Sequence, residues 1–154
     1  MGYRIDFDLS RCVGCGGCVV ACIDQNDTDV AGGQRPRRRV EERERVDNGA
    51  LRVDYLALAC VHCGACIPVC PKKCLQRDEE TGFVVCRAEQ CIGCGACVHA
   101  CPGQYIQVFQ RRADKCDGCY LRIRYGYEPA CVRGCITGAL RLKQVSSGAE
   151  PCEK

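Results

Sequence analysis

Residues 91 to 102 read Cys91-Ile-Gly-Cys94-Gly-Ala-Cys97-Val-His-Ala-Cys101-Pro102, so their cysteines have the spacing C-x2-C-x2-C-x3-C. In two-cluster ferredoxins, three thiolates of such a loop hold one cubane and the fourth cysteine ligates the other cluster. The glycines between the cysteines permit positive φ and leave backbone N–H groups free to face sulfide. The stretch therefore predicts a cluster-binding loop followed by a short helix.

The same spacing recurs upstream, so the chain contains an internal repeat. One copy runs from Cys12 to Cys22, and another runs from Cys60 to Cys70 and ends, like the first stretch quoted, in Cys-Pro. A fourth group is more open, because eleven residues separate its second and third cysteines. Its members are Cys116, Cys119, Cys131 and Cys135. Four groups of four cysteines predict four 4Fe-4S clusters.

The ligand sets follow from the way such motifs pair. Groups two and three are compact, both end in Cys-Pro and are separated by only 20 residues, so we expect them to exchange their fourth cysteines. Groups one and four lack that proline and are expected to serve each other. The predicted sets are Cys12, Cys15, Cys18 and Cys135 (site I); Cys60, Cys63, Cys66 and Cys101 (site II); Cys91, Cys94, Cys97 and Cys70 (site III); and Cys116, Cys119, Cys131 and Cys22 (site IV).

Three of the 19 cysteines remain outside these sets. Cys86 lies on an apolar stretch and is expected to be a small core residue, whereas Cys152 is expected to be a free thiol in a polar tail. Cys74 follows the second motif and is the one spare cysteine that could replace a ligand. Zinc stays open as an alternative for the fourth group alone, since paired cysteines with a long intervening loop suit it.

Composition favours metal over disulfides as the reason for so many cysteines. The first eight residues show no apolar export segment, so we expect a cytoplasmic protein, where structural disulfides do not persist. No apolar run approaches the length needed to span a bilayer. Trp is absent and Phe occurs three times, so the apolar core is thin and the fold is expected to depend on its metal. Four clusters would change the net charge from +3 to about −5.

Strand and turn signals predict a loop-rich α+β fold. Two strands, residues 40–46 and 51–58, flank the hairpin signal Asp47-Asn48-Gly49. Further short strands are predicted at residues 82–85, 105–109 and 139–142. Short helices are expected to carry the last cysteine of a group, as at residues 19–24 and 98–101, with Pro71 and Pro102 ending those of groups two and three.

The pairing of the groups predicts two pseudo-symmetric bacterial ferredoxin-like units, one inserted in the other and both stabilised by clusters. The outer unit comprises residues 1–54 and 111–145, and the inner unit comprises residues 55–110. Residues 146–154 form a polar tail.

Residues 35–45 contain six Arg and three Glu. We interpret this segment as a solvated strand and linker, with a docking surface or a counter-charge for a nearby anionic cluster as alternatives. Nucleic-acid binding is disfavoured, because Glu residues interrupt the basic run and no aromatic platform accompanies it. His62 and His99 lie inside cluster motifs and are expected to pack or tune potential. No catalytic set or nucleotide fingerprint is present, so we expect no catalytic residues.

Over residues 3–143 the chain resembles the four-cluster electron-transfer subunits of molybdenum or tungsten bis-pterin enzymes. The most specific stretch is residues 116–140, Cys-Asp-Gly-Cys-Tyr-Leu-Arg-Ile-Arg-Tyr-Gly-Tyr-Glu-Pro-Ala-Cys-Val-Arg-Gly-Cys-Ile-Thr-Gly-Ala-Leu, although Ile136 stands where the family usually has proline. The resemblance implies a non-catalytic subunit serving a large oxidoreductase subunit of the dimethyl sulfoxide reductase, formate dehydrogenase or aldehyde oxidoreductase type.

The other partner is left open between a ferredoxin, a flavin subunit and further copies of this chain. Two alternatives remain at this point. One is a free-standing polyferredoxin or a hydrogenase-linked electron carrier. The other is a metal-sensing or nucleic-acid-binding module that uses the Arg-rich segment.

Overall fold

Four two-stranded antiparallel sheets and four short helices build the part of the chain that the structure, a computed structural model, describes, which is residues 2–145. The strands are β1 (Gly2–Phe7), β2 (Arg38–Asp47), β3 (Ala50–Ala59), β4 (Leu75–Arg77), β5 (Val84–Cys86), β6 (Ile106–Phe109), β7 (Arg112–Lys115) and β8 (Leu140–Val145). The helices are α1 (Gly17–Gln25), α2 (Ala96–His99), α3 (Tyr120–Arg124) and α4 (Ala130–Arg133). The predicted α+β, loop-rich character is confirmed. The tail and Cys152 lie outside the described residues.

Strand pairing is local except at the ends. β2 pairs with β3, β4 with β5 and β6 with β7 as hairpin-type neighbours, whereas β1 pairs with β8. The β1–β8 register places Gly2 opposite Val145 and Phe7 opposite Leu140. The first and last described strands therefore form one ribbon, and every other element lies between them along the chain.

The hairpin predicted around Asp47-Asn48-Gly49 is confirmed. Asn48 and Gly49 both have positive φ, 48° and 77°, as a tight turn between right-twisted strands requires. Ten residues of β2 pair with ten residues of β3, so the ribbon is longer than predicted. Its outer half is exposed, and its base contributes Ala57 to the core.

The buried residues fall into two cores. One contains Cys18, Ala57, Cys131, Val132 and Leu140, and the other contains Cys66, Cys74, Leu75, Val84, Cys97, Ile106 and Ala113. Two residues pack with the predicted unit to which they were not assigned. Ala57, from the predicted inner unit, lies in the first core, and Ala113, from the predicted outer unit, lies in the second. The β2–β3 and β6–β7 hairpins bridge the boundaries of the predicted units, at residues 54 and 110.

The helix expected in the second cysteine group is absent, and this prediction was wrong. Residues 65–69 form turns, with the N–H of Ile67 bonded to the carbonyl of Gly64. The corresponding helices α1 and α2 begin after Gly16 and Gly95, and Val20 and His99 donate back to those glycine carbonyls. The matching position in group two is Pro68, which has no N–H to donate and disfavours helical backbone in the residue before it.

Candidate metal centres

One cavity brings together the four cysteines of site I. Cys12 and Cys15 come from the loop before α1, and Cys18 lies in its first turn. The fourth, Cys135, follows α4 more than a hundred residues later. Apolar side chains of Phe7, Val40 and Leu140 complete the wall. Four sulfur donors on an otherwise apolar cavity match the donor chemistry of a 4Fe-4S cluster.

A second cavity brings together the four cysteines of site III. Its wall contains Cys91 and Cys94 from the loop before α2, Cys97 from α2 itself, and Cys70 from the second group. Leu75, Val108 and Ala113 supply apolar surface around them. The fourth cysteine of this cavity thus comes from another group, which is the arrangement that the crossed pairing predicts.

Sites II and IV are defined by proximity between their thiols. Cys22 lies close enough to Cys116, Cys119 and Cys131 to interact with them electrostatically, and burial is the main reason that its pKa rises to about 12. At site II, Cys66 interacts electrostatically with Cys60, Cys63 and Cys101. In the described part of the chain, no three Cys, His, Asp or Glu residues lie close enough together to hold a single metal ion. The case for clusters at these sites therefore rests on the grouping of the cysteines.

Thiols of different sites also interact electrostatically, and these pairs are consistent with sites that follow one another in a row. The pairs are Cys18 with Cys131, Cys116 with Cys60, and Cys66 with Cys97. They connect site I to site IV, site IV to site II and site II to site III. The order I–IV–II–III was not predicted, because it depends on how the two ends of the chain pack against the middle.

The loops share one backbone requirement at the residue before the second cysteine. Gly14, Gly93 and Gly118 have φ between 67° and 71° there, and His62 has φ of 56°. A Cβ on Gly118 would overlap the ring of Phe83, so glycine is also required by space. His62 is the exception among the four groups.

The His62 side chain is buried and packs at 4.5 Å, centroid to centroid, on Phe83. Its Nδ1 accepts a hydrogen bond from the Val84 N–H at 3.0 Å. Burial, reinforced by the charge of Lys115, holds the His62 pKa well below its usual value. A neutral, packed imidazole agrees with the expected packing role, whereas His99 is exposed on α2.

The spare cysteines take different positions. The Cys74 Sγ is buried 3.2 Å from the Cys70 Sγ and lines the cavity of site III. Burial raises the pKa of Cys70, but hydrogen bonds from the Cys74 thiol and from nearby N–H groups lower it by more in total. The net shift of the Cys70 pKa is therefore downward. Cys86 lies opposite Leu75 in the β4–β5 pair and packs against the second core, the one that contains Leu75 and Val84, as expected of a small core residue.

Two buried cations, Arg38 and Lys115, lie among these cysteines. Sequence reasoning gave a counter-charge only as an alternative for residues 35–45 as a whole, did not single out Arg38, and missed Lys115. Arg38 belongs to a segment interpreted as solvated, and its neighbours Arg39 and Arg45 are indeed exposed. Nothing in the Arg-rich run distinguishes Arg38. Lys115 offered a weak signal, since it directly precedes a cluster motif.

Two family profiles match the chain, both described as a 4Fe-4S dicluster domain, over residues 51–145 and residues 11–74. This protein belongs to the 4Fe-4S dicluster family. Membership confirms 4Fe-4S clusters as the cofactor, and two dicluster matches support the predicted number of four.

Several curated proteins are similar along most of this chain. A tetrathionate reductase subunit of Salmonella typhimurium is 36% identical over 142 residues, which cover 89% of this chain and 56% of that protein. A polypeptide of the anaerobic dimethyl sulfoxide reductase of Escherichia coli K12 is 37% identical over 149 residues, covering 90% and 71%. The thiosulfate reductase electron transfer subunit PhsB of Salmonella typhi is 37% identical over 144 residues, covering 91% and 74%.

These relatives confirm the predicted resemblance to iron–sulfur electron-transfer subunits, and their names agree with the expectation that the chain is not the catalytic subunit. The chain spans just over half the length of the tetrathionate reductase subunit and less than three quarters of the other two. Within residues 2–145, no helix has the length and apolar character to cross a membrane.

Proposed function

We propose that this chain carries electrons through four 4Fe-4S clusters, held at sites I, IV, II and III in that order, to or from a large oxidoreductase subunit. The observation that supports the proposal most directly is the crossed grouping of cysteines. Site I combines the first group with Cys135, and site III combines the third group with Cys70.

The chain's own residues hold and separate these centres. When bound, each cluster supplies a one-electron redox centre whose potential depends on hydrogen bonds to sulfur, charge and exposure. The positive-φ loops wrap three thiolates, and α1 and α4 direct fourth cysteines toward partner groups. Apolar side chains such as Phe7 and the buried Leu75 line two of the cavities and limit the access of water to them.

We further infer that the ligands divide between two inserted ferredoxin-like units. The outer unit of residues 1–54 and 111–145 would hold sites I and IV, and the inner unit of residues 55–110 would hold sites II and III. The two separate cores support this division, each being built around cysteines of its own pair of sites.

The catalytic partner we propose is a molybdenum- or tungsten-pterin subunit, of the aldehyde oxidoreductase, formate dehydrogenase or a similar type. Support comes from relatives named as parts of tetrathionate, dimethyl sulfoxide and thiosulfate reductases. At the other end of the row, a ferredoxin, a flavin subunit or a further copy of this chain would exchange electrons. We place the protein in the cytoplasm, where its thiols stay reduced until they bind iron.

Iron analysis and one exchanged ligand test the ligation. The anaerobically purified protein should contain about sixteen irons and about sixteen sulfides per chain. Cys22→Ser should alter the electron paramagnetic resonance (EPR) signal of the site IV cluster and leave site I unchanged, whereas Cys12→Ser should do the reverse. Eight irons per chain after reconstitution, or a Cys22→Ser change confined to site I, would contradict the crossed sets.

Affinity purification tests the partner. A tagged chain produced in its native host should retain a larger oxidoreductase subunit that contains molybdenum or tungsten by elemental analysis. Purification of the cluster-loaded chain alone, under anaerobic conditions and at low salt, would favour the free-standing polyferredoxin.

A further inference from the structure

We propose that Arg38 and Lys115 are fixed counter-charges on the two flanks of site IV, and that they raise the reduction potential of its cluster. The proposal rests on the ligation of site IV proposed above. Both are positioning residues, which act through the positive charge that they hold near the sulfur ligands. Neither side chain transfers a proton.

Arg38 lies on the flank of site IV that faces site I. It begins β2, is only 5% exposed, and donates from Nη1 to the carbonyl of Ala57 at 3.2 Å. Its electrostatic neighbours are Cys131, Cys116 and Cys22 of site IV, and Cys18 of site I. Although burial alone lowers the Arg38 pKa, these cysteines hold it above its ordinary value.

Lys115 lies on the opposite flank, which faces site II. It ends β7, is 4% exposed, and its Nζ donates to the carbonyls of Val84 and Cys116. Its charge acts on Cys60 and Cys66 of site II. The two cations thus occupy the two junctions, I–IV and IV–II, at which site IV meets its neighbours.

Neither cation has a carboxylate partner among the described residues. The neighbouring Arg37 shows the alternative, because its Nε lies 2.6 Å from the Asp114 carboxylate. An ionised side chain buried without an opposite charge is strongly disfavoured, so Arg38 and Lys115 require an anion. The titratable groups that interact with them are cysteines and the imidazole of His62, whose pKa is held well below its usual value, so cysteine is the source of negative charge.

A cluster with four thiolates supplies that anion. Its net charge is about −2 when oxidised and about −3 when reduced, so a nearby fixed cation favours the added electron. The interaction is strong because both cations are shielded from water, where salt and solvent would screen them. At site III the cation that lines the cavity is Lys72, and its side chain is exposed, so that water and salt screen its charge.

Redox titration of the assembled protein, followed by EPR, tests the proposal. Arg38→Met and Lys115→Met should each lower the reduced-to-oxidised ratio of the site IV cluster about tenfold at a fixed potential, a shift of about 59 mV. Arg38→Met should shift site I less, whereas Lys115→Met should also shift site II, because the Lys115 charge acts on Cys60 and Cys66. Site III should stay unchanged in both variants. The Cys22→Ser variant identifies which EPR signal belongs to site IV.

Charge-preserving and exposed controls separate electrostatics from packing. Arg38→Lys and Lys115→Arg should keep the site IV potential close to that of the original protein. Arg45→Met, on the same strand but with a 48% exposed side chain, should shift no cluster. If the Met variants do not assemble, Arg38→Gln removes the charge while keeping an N–H donor for the Ala57 carbonyl.

The proposal is overturned if fully loaded Met or Gln variants keep the original site IV potential, or if Arg45→Met shifts it equally. Failure of the ligation would look different, because Cys22→Ser and Cys116→Ser would then alter the signals of two different clusters while the charge variants still moved one of them.

Discussion

At the residue scale, the residue before the second cysteine has positive φ in all four loops, and in the second loop that residue is His62. The spacing predicts all four loops, and glycine at three of these positions indicates the positive φ that the structure shows. His62 occupies the same motif position, so its backbone conformation could have been inferred by aligning the four groups. Its hydrogen bond to Val84 could not, because that contact joins segments 22 residues apart.

We predict that His62→Ala destabilises the cluster-loaded protein by about 2–4 kcal/mol. The change leaves a non-glycine residue at positive φ, removes the acceptor of a buried N–H and opens a cavity beside Phe83. Anaerobic denaturation followed by cluster absorbance would measure the loss. The exposed His99→Ala is the matched control and should change stability by less than about 0.5 kcal/mol.

An equal effect of the two histidine substitutions would show that the His62 contacts do not stabilise the loop. His62→Asn should fall between them, since Asn tolerates positive φ and its side-chain oxygen can accept a hydrogen bond.

At the element scale, the contact between α1 and α4 determines where four of the predicted ligands lie. α1 carries Cys18 and Cys22, and α4 carries Cys131 just before Cys135. The helices approach through glycines: a Cβ on Gly134 would lie 2.8 Å from the Ala21 Cβ. Helical character near the last cysteine of a group was predictable, but this closeness was not, because no local pattern states which glycine meets which helix.

Gly134→Ala is expected to destabilise the protein by about 1–3 kcal/mol through overpacking. Gly134 has φ of −78°, so the effect would come from space and not from backbone strain. EPR should show altered signals at sites I and IV, with sites II and III unchanged. Thermal loss of cluster absorbance gives the stability.

Adding Ala21→Gly to Gly134→Ala removes the nearest clash and should restore part of the stability and the EPR spectrum. No recovery in the double variant would place the cause outside the α1–α4 contact.

Two other elements mark where sequence patterns fail for physical reasons. β7 reads as polar, Arg112-Ala-Asp-Lys115, yet its last two residues are buried because Arg37 pairs with Asp114 and carbonyls accept from Lys115. In group two, Pro68 prevents the helix that the repeat predicts. Periodicity and repeat reasoning assume that polar residues face water and that copies are equivalent, and neither holds at these positions.

At the scale of the whole molecule, cysteine takes the place that large apolar residues hold in ordinary cores. Cysteines are prominent in both buried cores, beside small residues such as Ala57 and Ala113. The spacing predicts the crossed ligand sets, whereas it does not predict the order of the sites, since that order arises from packing between segments distant in sequence.

We predict that removal of iron abolishes the cooperative fold. Without clusters, the buried thiols and the charges of Arg38 and Lys115 lose their partners, and too little apolar area remains to compensate. Circular dichroism and the dispersion of amide signals in NMR spectra should both collapse on anaerobic chelation. Retention of a sharp thermal transition in the iron-free chain would contradict this expectation.

The β1–β8 ribbon also allows the order of the segments along the chain to be changed by circular permutation. Because Gly2 and Val145 lie opposite each other, a short linker can join them, and new termini can be opened between Asn48 and Gly49 at the exposed hairpin tip. Such a circular permutant omits Cys152 together with the rest of residues 146–154, but it keeps the sixteen predicted ligands and changes which cysteine group is synthesised first. We expect it to assemble all four clusters, and an iron count below about sixteen would show that the order of synthesis guides their assembly.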